Sequence, residues 1–140
     1  MQDFSIGVLA KRTDVKIPTI RYYEQSGLMP SPSRSEANRR TYDQAAERRL
    51  RFIRHARQLG FEVDAIRQLL DLSDQPDRPC AEADVIARTH LTDIDSKIAR
   101  LTALRSEVTR MIGECEHGRV CDCRVIQVLA DHGLCEHDRH

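Results

Sequence analysis

The sequence predicts a mainly α-helical protein, and its composition and one long uninterrupted stretch carry this prediction. Only 4% of the 140 residues are aromatic, and there are just 6 Gly and 5 Pro, which disfavours an all-β sandwich. Leu, Ala, Arg and Glu, which favour helices, are prominent instead. No Pro or Gly interrupts the chain from Ala81 to about Gly113, and this predicts one long helix.

The first 27 residues predict two short helices joined by a tight turn. Ser5 can cap a helix that runs to Arg12, and residues 13–15 form the turn. The second helix starts near Pro18, because Pro is favoured in a first turn, and Gly27 ends it. Such a pair is a helix-turn-helix unit, whose second helix typically enters the major groove of DNA.

The next segment, residues 28–42, contains two Pro, three Ser and no helical period. It predicts a small two-stranded β wing with its tip near residues 35–38. Asp43 caps a further helix that runs to about Leu59, and another helix covers residues 62–72.

A polar stretch broken by Pro, residues 73–79, marks a domain boundary. The predicted organisation therefore has four parts: a winged helix-turn-helix head at 1–72, a linker at 73–80, a dimerisation helix at 81–113, and a metal-binding loop, short helix (125–130) and tail at 114–140.

In the long helix, apolar residues follow the alternating 3,4 spacing of a coiled coil over about three heptads. We call this stripe the seam; Arg105 alone interrupts it, and its members are Leu91, Ile94, Ile98, Leu101, Val108 and Ile112. One exposed helix cannot bury such a stripe, so the seam predicts a homodimer. The alternative is packing of the helix against the head of the same chain.

The net charge of zero conceals an asymmetry between the two halves of the chain. Residues 1–67 hold 13 Lys and Arg against 8 Asp and Glu, whereas residues 68–140 hold 9 against 14. A basic head fits double-stranded DNA, whose phosphates attract Lys and Arg. The candidate DNA-binding residues are Lys16, Thr19, Arg21, Tyr22, Tyr23, Arg34, Asn38, Arg39, Arg40, Tyr42 and Arg54. We expect one of the two adjacent tyrosines to belong to the core, because neighbouring helical residues face different ways.

No apolar run approaches the roughly 20 residues that span a membrane, and the first residues carry no secretory signal. We therefore expect a cytoplasmic protein with no membrane partner. All five Cys lie outside the basic half, and in a reducing compartment this clustering favours metal or redox chemistry over disulfides.

Cys80 and Cys115 flank the long helix, which at about 1.5 Å per residue holds them roughly 50 Å apart. They cannot bind one ion within one chain, but an antiparallel dimer would bring Cys80 of one subunit beside Cys115 of the other. The loop from Cys115 to Cys123 also contains His117 and Cys121. Thiolates favour zinc, copper(I) and heavier thiophilic ions, and imidazole suits zinc.

The run Ile-Arg-Tyr-Tyr-Glu at 20–24 closely resembles the start of MerR-family transcription regulators. The similarity continues in Asn-Arg-Arg-Thr-Tyr at 38–42 and in the helix that ends in Leu-Gly-Phe at 59–61. The resemblance implies a dimer on an inverted-repeat operator that activates RNA polymerase at the promoter by untwisting and bending DNA.

The Cys-bearing loop resembles that of metal-sensing MerR relatives. Cys115 and Cys123 match their two loop Cys, and Cys80 matches a position at which sensors of divalent ions carry Cys and copper sensors carry Ser. The eight-residue step between Cys115 and Cys123 is nevertheless similar to that of copper sensors, whereas a His such as His117 is similar to zinc sensors. The resemblance ranks Zn(II) first, then Cd(II), Pb(II) or Hg(II), and Cu(I) last.

Three function classes remain open from the sequence. The first is a metal-responsive activator of an efflux or resistance promoter, and the second is a redox- or drug-sensing regulator of the same fold. The third is a small metal-dependent enzyme, which the lack of room for a substrate pocket disfavours. We expect no enzymatic activity.

Overall fold

The computed structural model describes residues 3–115, 118, 120 and 123–131. Within these residues the chain forms a mainly helical fold with one two-stranded sheet, as predicted. The elements are α1 (Ile6–Thr13), α2 (Ile17–Gln25), β1 (Ser33–Arg34), β2 (Arg40–Thr41), α3 (Gln44–Gln58), α4 (Val63–Ser73), α5 (Ala81–Gly113) and α6 (Arg124–Ala130).

The chain divides into two compact units, Met1–Ile86 and Ala87–His140. The linker and the first residues of α5 therefore group with the helix-turn-helix head, and the division falls inside the long helix. No helix among the described residues is both long and apolar enough to cross a membrane.

Local sequence signals set the helix boundaries in the head. The Ser5 hydroxyl accepts a hydrogen bond from the Val8 N–H at 3.3 Å, and the Asp43 carboxylate accepts one from the Ala46 N–H at 2.9 Å. These bonds satisfy N–H groups that a helix start leaves unpaired. Gly60, with φ of 87°, follows the end of α3 in a conformation that favours glycine.

Six side chains with no exposed surface form the centre of the head: Leu9, Ile20, Leu28, Leu50, Ile53 and Ile66. They come from α1, α2, the segment after α2, α3 and α4, so every helix of the head contributes to one core. This shared core fixes α2 against the other helices and leaves its outer surface available.

The wing is an antiparallel pair in which Ser33 lies opposite Thr41 and Arg34 opposite Arg40. An isolated bridge extends it, because Phe4 and Tyr42 exchange two backbone hydrogen bonds of 2.8 and 2.9 Å. The sequence did not predict this third segment.

Helix α5 has the predicted bounds and spans 33 residues. Five seam residues are between 52% and 61% exposed, namely Leu91, Ile98, Leu101, Val108 and Ile112. In contrast, Glu107 and Met111 on the same helix are buried within the second unit. The seam is thus an apolar stripe that the single chain leaves open to solvent.

Candidate functional site

The outer surface of α2 carries the first group of candidate DNA-binding residues. Lys16, Arg21 and Tyr22 are exposed, and Thr19 is half-buried. Tyr23 is only 7% exposed and belongs to the core, which confirms that one of the adjacent tyrosines is structural. Lys16 and Arg21 form no ion pair within the described residues, so their charges face outward as a phosphate or base contact requires.

The turn between α1 and α2 is held by arginines of α3. Asp14 adopts a left-handed conformation with φ of 57°, and its carboxylate pairs with the Arg54 guanidinium at 3.3 Å. Arg51 donates a hydrogen bond of 2.7 Å to the Arg12 carbonyl near the end of α1. Arg54, a candidate for DNA contact, is therefore half-buried and engaged with the turn.

Two further arginines hold the chain where α2 ends. Arg49 donates to the Leu28 carbonyl at 2.7 Å, and Arg67 donates to the Ser26 carbonyl at 2.5 Å. Carbonyls at a helix end have no partner within the helix, and cations stabilise that end. Some of the arginines of α3 thus stabilise the helix-turn-helix unit through hydrogen bonds to its backbone.

The wing presents its own cations near a tight turn. Arg34, Asn38 and Arg39 are exposed, and Asn38 has a positive φ of 62°. Arg34 donates to the Asn38 carbonyl at 3.3 Å across the tip. The arrangement projects amide and guanidinium groups from the hairpin, as phosphate contacts beside the recognition helix would require.

A hydrogen-bonded triad joins the wing to α2. The Tyr42 hydroxyl donates to Glu24 Oε1 at 2.6 Å, and Arg40 pairs with Glu24 Oε2 at 3.6 Å. Burial and the hydrogen bond to Glu24 raise the pKa of Tyr42 to about 12. Tyr42 is only 3% exposed, so the structure places it in the core, where it supports the interface from within rather than lying on its surface.

In the second unit, Cys115 and Cys123 meet where the segment between α5 and α6 begins and ends. The Cys115 thiol hydrogen-bonds to the Cys123 sulfur, and both residues are half-buried. The backbone N–H groups of Ile126 and Val125 at the start of α6, together with the Cys115 thiol, lower the pKa of the Cys123 thiol. Two thiols in contact are a donor pair of the kind that thiophilic ions favour.

A chain of ion pairs lies directly beside the two thiols. Arg124 Nε donates to Glu114 Oε2 at 2.5 Å, and Arg110 contacts the same carboxylate oxygen at 3.3 Å. Arg110 also pairs at 2.7 Å with Glu107, which is only 4% exposed. The hydrogen bond from Arg124 is the main cause of a lowered pKa for Glu114. Sequence reasoning missed this chain, although opposite charges flank the two Cys in the sequence.

Of the other three predicted ligands, Cys80 falls within the described residues. Cys80 is exposed in the first unit, where it lines a cavity of about 290 Å³ with apolar residues such as Phe52, Leu69 and Leu72. His117 and Cys121 lie outside the described residues. Within the described part of the chain, no group of three or more His, Cys, Asp or Glu could hold an ion.

Two family models match the chain. The model described as "MerR HTH family regulatory protein" matches residues 4–73, and the one described as "MerR, DNA binding" matches residues 47–111. The chain belongs to the MerR family. Members of this family are DNA-binding transcriptional regulators and not enzymes, which confirms the expectation from the sequence.

The similarity to other MerR-family proteins extends well beyond the head. The regulator HmrR of Rhizobium leguminosarum bv. viciae is 39% identical over 127 residues, which cover 91% of this chain and 98% of HmrR. The regulator ZntR of Escherichia coli K12 is 36% identical over 130 residues, which cover 90% of this chain and 92% of ZntR.

The regulator PbrR691 from Ralstonia metallidurans CH34, whose crystal structure is a complex with lead(II), has the same fold. It matches with a TM-score of 0.79 and 36% identity, over 90% of this chain and 98% of PbrR691. At this coverage, the similarity includes both the MerR-family head and the long helix α5.

Proposed function

We propose that this MerR-family protein activates transcription from a metal efflux or resistance promoter when a divalent thiophilic ion binds. The observation that carries the proposal is the contact between the Cys115 and Cys123 thiols in the unit that follows the DNA-binding head. Thiolates bind zinc, cadmium, lead and mercury strongly. The lead(II) complex of PbrR691, at 36% identity, supports the same class of ligand.

Zinc sites use three or four protein ligands, and the described residues bring two thiols together. We assign the third position to Cys80 of the partner subunit. Helix α5 separates Cys80 from Cys115 in the chain, and two such helices paired antiparallel would juxtapose the two residues from different subunits. His117 and Cys121 are assigned an assisting role, or the binding of a second ion.

The positive charge of the bound ion would be balanced by the negative charges of two or three thiolates. A third thiolate suits a divalent ion better than a monovalent one, so the proposal ranks Zn(II) first, then Cd(II), Pb(II) and Hg(II), and Cu(I) last. Ion binding can shift the DNA-bound dimer toward the activating shape only through a higher affinity for that shape.

The same proposal assigns double-stranded promoter DNA and a second copy of this chain as partners, with RNA polymerase responding at the promoter. The exposed cations of α2 and the wing would contact the major groove and the flanking phosphates. The exposed seam of α5 would form the dimer interface, since burial of its apolar side chains stabilises pairing. An activator of this kind acts by distorting the promoter, so binding and activation are separable properties.

The thiol contact also favours a second candidate, a redox-sensing regulator with the same head. Oxidation of Cys115 and Cys123 to a disulfide would release two protons and two electrons to an oxidant such as a peroxide. The two candidates differ in whether the reduced protein holds stoichiometric metal when it activates transcription.

The deciding experiment titrates the reduced protein with Zn(II), Cd(II), Pb(II), Hg(II) and Cu(I), and follows transcription from the promoter with each ion. Activation by a divalent ion at one equivalent per site is expected, with Cys115→Ser and Cys123→Ser inactive but still able to bind DNA. Activation by peroxide in the presence of a metal chelator would favour the redox candidate instead.

Mixed dimers test whether the site is shared between subunits. A dimer that combines a Cys80→Ser subunit with a Cys115→Ser subunit retains one complete site of two, so it should bind half the metal of the wild type. Each homodimeric variant should bind none at the same ion concentration. Metal-free mixed dimers, alongside a wild type that binds metal, would contradict the antiparallel shared site.

A further inference from the structure

The chain of ion pairs beside the thiols begins inside the second unit and ends at the first residue of α6. The almost fully buried Glu107 forms an ion pair with Arg110, and Arg110 forms a second one with Glu114. Glu114 also forms an ion pair with Arg124. Residues 107, 110 and 114 are spaced by three and four, so they line up along one face of α5 and the residue directly after it. The carboxylate of Glu114 is thereby anchored to the helix on one side and to α6 on the other.

The position of the last pair in the sequence is informative. Glu114 directly precedes Cys115, and Arg124 directly follows Cys123, so their ion pair closes segment 115–123 at its base. Bringing the ends of a chain segment together has an entropic cost. Here the ion pair offsets part of that cost, and the Cys115 and Cys123 thiols between its two members are in contact.

We infer that Glu114 and Arg124 are positioning residues that preorganise Cys115 and Cys123 for the ion. The inference rests on the proposed metal-binding function. Glu114 itself is occupied by two guanidinium groups, so we assign it no role as an oxygen ligand. Without the ion pair, metal binding would have to close the segment, and this would weaken affinity without removing a ligand.

Exposed ion pairs make small contributions, so the effect on affinity is modest. Arg124→Gln and Glu114→Gln should each weaken metal binding by about two- to fivefold, and the double variant by no more than either one alone. Arg124→Lys keeps the positive charge and should recover most of the affinity. Cys115→Ser, by contrast, should abolish binding under the same conditions.

The test uses the full-length dimer and Cd(II) as the probe. The dissociation constant is measured by competition with a chelator, with the cadmium–thiolate absorbance as the signal. Arg100→Gln is the matched control, because Arg100 is an exposed arginine of α5 that forms no ion pair within the described residues. Affinities of the Arg124 and Glu114 variants equal to that of this control would overturn the inference.

A second measurement needs no metal. In a background with Cys80→Ser, Cys121→Ser and Cys135→Ser, Cys115 and Cys123 are equilibrated with glutathione. The two thiols form a disulfide and oxidised glutathione is reduced to two glutathione thiols, so the equilibrium ratio gives the effective concentration of one thiol near the other. Arg124→Gln should lower it by a factor similar to its effect on cadmium affinity.

The two measurements separate the inference from the proposed function. If the wild type bound no thiophilic ion, the proposed function would fail, whereas the glutathione equilibrium would still report how the ion pair positions the thiols. If the wild type binds cadmium but neither quantity changes in Arg124→Gln, the positioning role is wrong and the metal site stands.

Discussion

Replacing Tyr42 with Phe removes one hydroxyl from the junction between the wing and α2, and its effect on stability can be calculated. The ring stays in the core, because the side chain is only 3% exposed and Phe has nearly the same shape. The lost hydrogen bond, 2.6 Å long, has a carboxylate as its acceptor. Hydrogen bonds to charged groups contribute about 1.5–3 kcal/mol, so the free energy of unfolding at pH 8 should fall by that amount.

The pKa of Tyr42 adds an independent check on this magnitude. It rises from 10.0 to about 12 in the folded protein, so the folded state retains the phenol proton at pH values where the unfolded chain loses it. Stability therefore decreases as pH rises from the unfolded value toward the folded one. The full effect is about 3 kcal/mol, of which about half should be lost by pH 11.

The Tyr42→Phe variant has no phenol proton at this position, so it does not show this loss of stability at high pH. All its other titrating groups are the same as in the wild type. The difference in unfolding free energy between the two proteins should therefore shrink by about half of this effect between pH 8 and pH 11. Urea unfolding followed by circular dichroism at several pH values measures it. A difference that stays constant across this range would refute the argument, because it would mean that burial and the hydrogen bond to Glu24 do not raise the pKa of the Tyr42 hydroxyl.

Three further predictions concern the seam, the DNA-binding surface and the core. Ile98→Asp combined with Leu101→Asp should give monomers in sedimentation that no longer bind operator DNA, whereas Ser96→Asp should stay dimeric; a dimeric seam variant would argue against the coiled coil. Arg21→Ala should weaken operator binding by about 1–3 kcal/mol in gel-shift titrations, and an equal loss for Arg100→Ala would contradict the assignment of α2. Leu50→Ala should destabilise the head by about 2–5 kcal/mol in thermal unfolding, and a value below that range would indicate a core that closes around the cavity.

Helix boundaries were predictable because their signals are local. The caps Ser5 and Asp43, and the glycines that follow α2 and α3, act on groups within a few residues of themselves. The long helix was equally predictable, since neither Pro nor Gly occurs between Ala81 and Ile112.

Contacts between segments that are distant in the chain could not be predicted from such local signals. Arg49 and Arg67 reach carbonyls 21 and 41 residues away, and nothing in a run of basic residues shows which of them turn inward. Tyr42 was assigned to the DNA surface for the same reason, because its partner Glu24 lies 18 residues earlier on another element.

The sequence predicted which residue types form the candidate metal centre, but it did not predict the ion pairs beside them. Thiols eight residues apart in the chain suggest a shared ion, and the contact of Cys115 with Cys123 agrees with that expectation. The ion pair between Glu114 and Arg124 could not be predicted without knowing the path of the chain, because many oppositely charged residues that flank loops do not come into contact.

The backbone bridge between Phe4 and Tyr42 has a practical consequence for work with this protein. Residues ahead of α1 supply the outermost strand segment of the wing, so a deletion that removes residue 4 would leave the Tyr42 N–H and C=O without their backbone partners. An affinity tag joined close to Phe4 would likewise lie next to the wing and its exposed arginines, which are candidates for DNA contact. Purification tags are better attached elsewhere, or cleaved before operator affinities are compared.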